Sequence, residues 1–186
     1  LDAQFRLVKE DYYQPNGGIV FPNPNAPTSI GEPRAFVEDV VAHNPDSVVI
    51  VDEAYVDFGG ESALPLVEKY ENLVVVQTSP KSRSVAGTRM GYAMANPALI
   101  KYLNDVKYSF NSYTMNQTAI AAGVASLEDP EYFNETIQKI VDTRERAKAR
   151  LRQLGFSFRD SKSNFIFAAH ESCPAKELFD ALREQD

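Results

Sequence analysis

Lys81, Asp52, Tyr55 and Arg89 are the residues of this sequence whose types and spacing could do chemistry together. Lys81 follows an apolar run at 73–77 (LVVVQ) that reads as a buried strand, with hydroxyls at Thr78 and Ser79 before it. Arg89 comes later in the same loop, between Gly87 and Gly91, where bare backbone lets a ligand approach closely. A second apolar run, 48–51 (VVIV), ends in Asp52, with Tyr55 just beyond. An amine, a carboxylate and a guanidinium past the ends of sheet strands are the groups pyridoxal phosphate needs. The lysine condenses with the aldehyde, the carboxylate keeps the pyridine nitrogen protonated, and the guanidinium with nearby hydroxyls grips the phosphate.

Each residue also has a plainer reading. Asp52 could simply cap a turn, and residues 49–53 (VIVDE) look like the metal-binding strand of a nucleotide hydrolase. That second reading needs a G-x-x-x-x-G-K-[ST] loop, which the sequence lacks. At ~4 Å and an effective dielectric of about 20, a carboxylate and a pyridinium attract by about 4 kcal/mol. Tyr55 could be a half-buried tyrosine with a satisfied hydroxyl; beside Asp52, its hydroxyl suits the ring's phenolic oxygen. Lys81 alone would be a solvated loop lysine, but enclosure near other cations favours the neutral, nucleophilic amine. The same amine can then shuttle a proton at the substrate's Cα. Arg89 could pair with a surface carboxylate, yet its planar fork suits a phosphate, to which Thr78 and Ser79 could add hydroxyl contacts. His43, His170 and Cys173 do not cluster, so no metal is expected.

Strands alternate with helices in the first half, which predicts an α/β fold with a mostly parallel sheet covered on both faces. Residues 18–21 read as a strand, broken by the prolines of 22–27; residues 32–43 read as a helix carrying Phe36, Val37, Val40 and Val41. After the strand ending at Asp52, a short helix at 64–70, the strand at 73–77 and another at 90–95 complete this half. Ligands in such sheets lie beyond the carboxyl ends of the strands, where Asn25, Asp52 and Lys81 all fall. The second half is helical: 97–106, 116–127 and 130–154. The last carries an apolar stripe from Ile137 to Leu154, which leaves Arg144, Arg146, Lys148 and Arg150 mostly on a solvated face. Gly155 stops it; 156–158 and 164–167 read as strands, and 174–185 as an amphipathic helix. The expected organisation is a partial large domain at 1–154 and an incomplete small α+β domain at 155–186.

Composition bounds the rest. The 186 residues are 44% hydrophobic and 24% charged, with a net charge of −7 and one cysteine. That balance suits a globular domain without a nucleic-acid partner, an internal disulfide or a membrane span, and a cytoplasmic setting is expected. Leu1 is no initiator methionine and residues 1–11 open no clear element, so the sequence is expected to be a piece of a longer one.

Three segments in order, NPNAPT at 23–28, DEAYVDF at 52–58 and KSRSVAGTRMGY at 81–92, resemble the signatures of fold-type-I aminotransferases, and within them the histidinol-phosphate aminotransferase family. The resemblance implies a three-layer large domain. It makes Lys81 the Schiff-base lysine, Asp52 the pyridinium partner, Tyr55 the ring-hydroxyl donor, and Thr78 with Arg89 the phosphate ligands. It also implies amino transfer between histidinol phosphate and 2-oxoglutarate in histidine biosynthesis, by a homodimer with sites at the subunit interface. The sequence departs from the pattern at three places. Ala26 stands where most members have an asparagine, so the adjacent Asn25 becomes the candidate. Ser29 replaces a customary glycine, and Pro80 replaces the serine before the lysine, removing a hydroxyl and an N–H. The family's phosphate loop, interface tyrosine and substrate-carboxylate arginine have no counterpart to assign here. Two other readings stay open: an aromatic aminotransferase or phosphothreonine-type decarboxylase on the same fold, and a folded domain without activity.

Overall fold

The computed structural model describes residues 9–185. Within it β1 (Ile19–Pro22), β2 (Val49–Asp52) and β3 (Leu73–Thr78) pair in parallel, and β4 (Gly91–Ala95) joins antiparallel to β3. Strand order is β1-β2-β3-β4, so the chain crosses over between each parallel pair. The first crossover is α1 (Arg34–His43). Its Val37, Val40 and Val41, spaced to share one face, bury fully against Ile19, Phe21, Val49, Val51, Leu73 and Val75 from alternate strand positions. Each such side chain contributes roughly 1.5–3 kcal/mol when buried. On the opposite face Val20 stands 70% exposed.

Residues 64–70 form less helix than expected. Leu64–Leu66 is a 3-10 turn, with the Tyr70 N–H reaching Leu66 O at 3.0 Å before the chain enters β3. Pro65 near its start and the few residues left before Leu73 keep it to tight turns that bury only Leu66. The expectation for residues 1–11 lies mostly outside the described residues; Lys9–Tyr13 is a 3-10 turn.

Three helices follow, each opened by a side-chain cap: Asn96 before α2 (Pro97–Phe110), Asn116 before α3 (Gln117–Glu128), and Asp129 before α4 (Pro130–Gln153). α2 outruns its expected end at 106, since nothing in 107–110 breaks a helix, and it buries no residue. On α4 the expectation reverses. Arg144 and Lys148 are its buried residues, while Ile137, Ile140 and Val141 are only half covered. Both basic heads are held by partners, which lets their stems pack inward.

The last strand pair is β5 (Phe156–Phe158) with β6 (Ala168–His170), antiparallel, and α5 (Ala175–Arg183) ends the description. The strand expected at 164–167 is displaced to β6. Ser161 and Ser163 hydroxyls bond the Phe165 carbonyl, and Arg144 takes the carbonyl of Ser163, so this backbone has partners outside any ladder.

Candidate functional site

The parallel register sets the edge. Pro22 lies opposite Asp52, and Asp52 opposite Val76, so the loops after β1, β2 and β3 leave the sheet on one side. Thr78 pairs with Gly91, and the Ser79 N–H donates to Met90 O at 3.1 Å, drawing the ends of the lysine loop together. Lys81 and Arg89 therefore rise from the same neck. Arg89 sits in a left-handed backbone conformation (φ 53°), and among the described residues its guanidinium reaches only the Ala86 carbonyl of its own turn, at 3.4 Å. Among the described residues neither Lys81 nor Arg89 forms an ion pair, so both cations are available to an anionic ligand.

Lys81 and Tyr55 come together. The lysine Nζ lies 5.7 Å from the centre of the Tyr55 ring, close enough for the ring face to attract the ammonium. Tyr55 is itself braced by Phe165, edge-on at 5.1 Å. Asp52 is half-buried at the end of β2, and its Oδ1 accepts from the Ala54 N–H at 2.9 Å, the turn-capping role. That bond leaves Oδ2 for a further donor. Lys81 and Tyr55 are thus brought together, while Asp52, Thr78 and Arg89 stand at the same edge of the sheet; an amine, a phenol, a carboxylate, a hydroxyl and a guanidinium are the types of group that pyridoxal phosphate needs.

Two candidates stand apart. Asn25 Oδ1 accepts from both the N–H (3.3 Å) and the hydroxyl (2.7 Å) of Thr28, so it braces its own turn. It lines a cavity of about 30 Å³ with Tyr12, Phe21 and Phe36, on the α1 side of the sheet. Ser79 is 1% exposed and its Oγ has no partner among the described residues. Strand alternation carried past β3 puts it on the face of Leu73 and Val75, opposite to Thr78. Pro80 follows the last ladder bond, so its missing N–H removes nothing from the sheet.

Four supports escaped the sequence reading. Glu53, 2% exposed, accepts from Ser62 Oγ, Gln77 Nε2 and the Ala63 N–H, which fixes the turn after Asp52. Nothing around it in the sequence marks it as more than an acidic neighbour. Arg83 donates to Ser126 O at 2.6 Å and lies over the Phe133 ring at 4.2 Å, tying the lysine loop to α3 and α4. Gly123 gives way to Met90 from the same loop; a Cβ there would sit 2.3 Å from the methionine Cε. Arg144, assigned to a solvated face, is 9% exposed and donates to the carbonyls of Phe58 (2.7 Å) and Ser163 (2.9 Å).

These parallel α/β crossovers, with Lys81 beside Tyr55 and Asp52 at the same carboxyl edge, form a fold shared with solved aminotransferases. The solved histidinol-phosphate aminotransferase of Clostridium acetobutylicum superposes with a TM-score of 0.88 at 25% identity, covering 100% of this chain and 58% of that one. The chain belongs to the aminotransferase class I and II family, whose profile matches residues 3–186. Among curated relatives, the histidinol-phosphate aminotransferase of Acinetobacter baumannii (strain AYE) is 54% identical over 185 residues, spanning 100% of this chain and 51% of the relative. That of Pseudomonas putida is 51% identical, spanning 100% of this chain and 53% of the relative. The chain thus spans about half the length of the curated relatives it matches.

Proposed function

We propose that this chain carries the cofactor-anchoring half of a pyridoxal-phosphate-dependent aminotransferase of the histidinol-phosphate type. The observation that supports it most is the approach of Lys81 Nζ to Tyr55 at the sheet edge that also carries Asp52. In this reading the bound cofactor supplies an electron sink for the charge left on the amino donor's Cα. Lys81 would be the residue that holds the cofactor's aldehyde end, and its amine would be the base placed for the Cα proton. Asp52, whose Oδ1 is taken by the Ala54 N–H, would use its other oxygen to favour a protonated ring nitrogen. Tyr55 would donate to the ring oxygen, Arg89 would neutralise the phosphate and Thr78 would add a hydroxyl donor to it. The Thr28 bonds engage Asn25 Oδ1 and leave its amide Nδ2 as the group it would offer, whereas Ser79 is left to the core.

Histidinol phosphate as amino donor rests on the relatives of that name, and 2-oxoglutarate as acceptor on the resemblance drawn from the sequence. We extend the proposal to residues 1–154 as part of a cofactor-binding unit, to 155–186 as the start of a smaller one, and to a cytoplasmic homodimer. The exposed apolar side chains of α2 support the dimer, and no described helix is long and apolar enough to cross a membrane. Titrating the chain with pyridoxal phosphate should produce the visible absorbance of lysine-bound cofactor, and Lys81→Ala should abolish it. No absorbance at saturating cofactor would reject the reading for this chain.

A further inference from the structure

Arg144 reaches across the molecule to the site without touching the proposed chemistry. Its Nη1 donates to the carbonyl of Phe58, three residues past Tyr55, and to the carbonyl of Ser163, two residues before Phe165. Nε donates to Glu145 at 3.0 Å. The two clamped segments meet again nearer the site, where the Phe165 ring stands at 88° to Tyr55 with centres 5.1 Å apart. Tyr55 in turn faces Lys81. Phe58 is fully buried, and Gly59, at φ 121°, lets the backbone run beneath the guanidinium.

We infer that Arg144 is a positioning residue: by clamping two backbone turns it presses Phe165 against Tyr55 and so sets where the Tyr55 hydroxyl stands relative to Lys81. The geometry carries this on three counts. A charged donor bound to two carbonyls is stronger than a neutral one and costly to leave unpaired. The clamp joins α4, the turn after β2 and the segment before β6, three elements with no strand pairing among them. Phe165 is the side chain through which the clamped 161–165 segment meets Tyr55.

The functional arm of the test rests on the proposed cofactor reading, so a second arm does not use the cofactor. The sequence has no tryptophan, so Phe165→Trp places a single reporter against Tyr55. In that background, without cofactor, Arg144→Met should move the emission to the red as the ring leaves its bracket. Arg144→Lys, which keeps the charge on a single donor nitrogen, should undo part of that shift. In the parent background, Arg144→Met and Phe165→Leu should each weaken pyridoxal phosphate binding by about tenfold, the order expected for a misplaced positioning group. The double variant should be no worse than either single one, because both break the same linkage. Additive losses, or an unchanged affinity in Arg144→Met, would overturn the inference. So would an unmoved tryptophan emission. Should Arg144→Met fail to fold, Arg144→Lys with Phe165→Leu forms the same cycle. If the parent chain binds no cofactor, the functional proposal falls, while the emission arm still decides the clamp.

Discussion

At the scale of single residues, two serines make opposite demands. Ser29 is buried at φ 61°, the left-handed region, where the resembled family carries glycine. Its carbonyl accepts from the Lys162 N–H at 2.8 Å, so the conformation is fastened from outside the turn. Ser29→Gly should fall within about 0.5 kcal/mol of the parent, since relief of the backbone is offset by a freer unfolded chain. Ser29→Val should cost about 2 kcal/mol or more, because a branched Cβ is excluded there. Urea midpoints measure both. Ser79 carries a buried hydroxyl with no partner among the described residues, so Ser79→Ala should stabilise by about 1 kcal/mol and leave cofactor affinity unchanged. A weakened affinity in that variant would make Ser79 a phosphate ligand after all. The strand ends that carry Asp52, Tyr55 and Lys81 were legible in the sequence because strands show there as apolar runs. Arg144 was not: its partners are carbonyls, which carry no sequence signal.

At the scale of elements, α4 is fastened to the chain beyond it by a charged knot. Lys148 bonds Asp160 and Glu145, Arg144 also bonds Glu145, and Lys162 pairs with Asp160 at 3.2 Å. Burial pulls the Lys148 pKa down, but its bonds to Asp160 and Glu145 outweigh this and leave it raised. The bond from Lys148 holds both carboxyls below their ordinary values, against some burial and with help from Arg144 for Glu145 and Lys162 for Asp160. Carboxyls lowered in the folded state stabilise it above their unfolded values, and that contribution disappears as pH falls through the lowered ones. Lysine's raised value adds stability below its ordinary range, lost only at strongly alkaline pH. Lys148→Met should therefore lower the urea midpoint at neutral pH, with the gap to the parent closing as acid protonates both carboxyls. A gap independent of pH would remove the knot from the account. α3 holds the loop in another way, through the groove at Gly123. Gly123→Val should expel Met90 and weaken cofactor binding while far-ultraviolet circular dichroism stays unchanged. The strand misplaced to 164–167 teaches the matching lesson: its apolar residues look like a strand, but serine hydroxyls had already claimed the backbone.

At the scale of the whole molecule, the core and the outer helices differ sharply. One side of the sheet is sealed by α1, whereas Tyr102, Leu103, Val106 and Phe110 of α2 and Ile120, Val124 and Leu127 of α3 are exposed. Apolar surface on that scale favours association. The chain should sediment as concentration-dependent oligomers, and Val106→Lys with Phe110→Lys should shift it toward monomer and remove the concentration dependence of its unfolding midpoint. Alternation of strand and helix made the parallel sheet readable from sequence. The exposed side of α2 was not, because periodicity reports which residues share a face and not what that face meets.

The bond from the Ser79 N–H to the Met90 carbonyl acts as a clasp on the lysine loop. Deuterium should enter slowly at that amide and quickly along the tip. Grafting a different tip from a distant relative ought to leave the Ser79 amide protected, because the fastening belongs to the strands. Catalytic novelty in such a scaffold can then arise by swapping the cargo while the buckle stays shut.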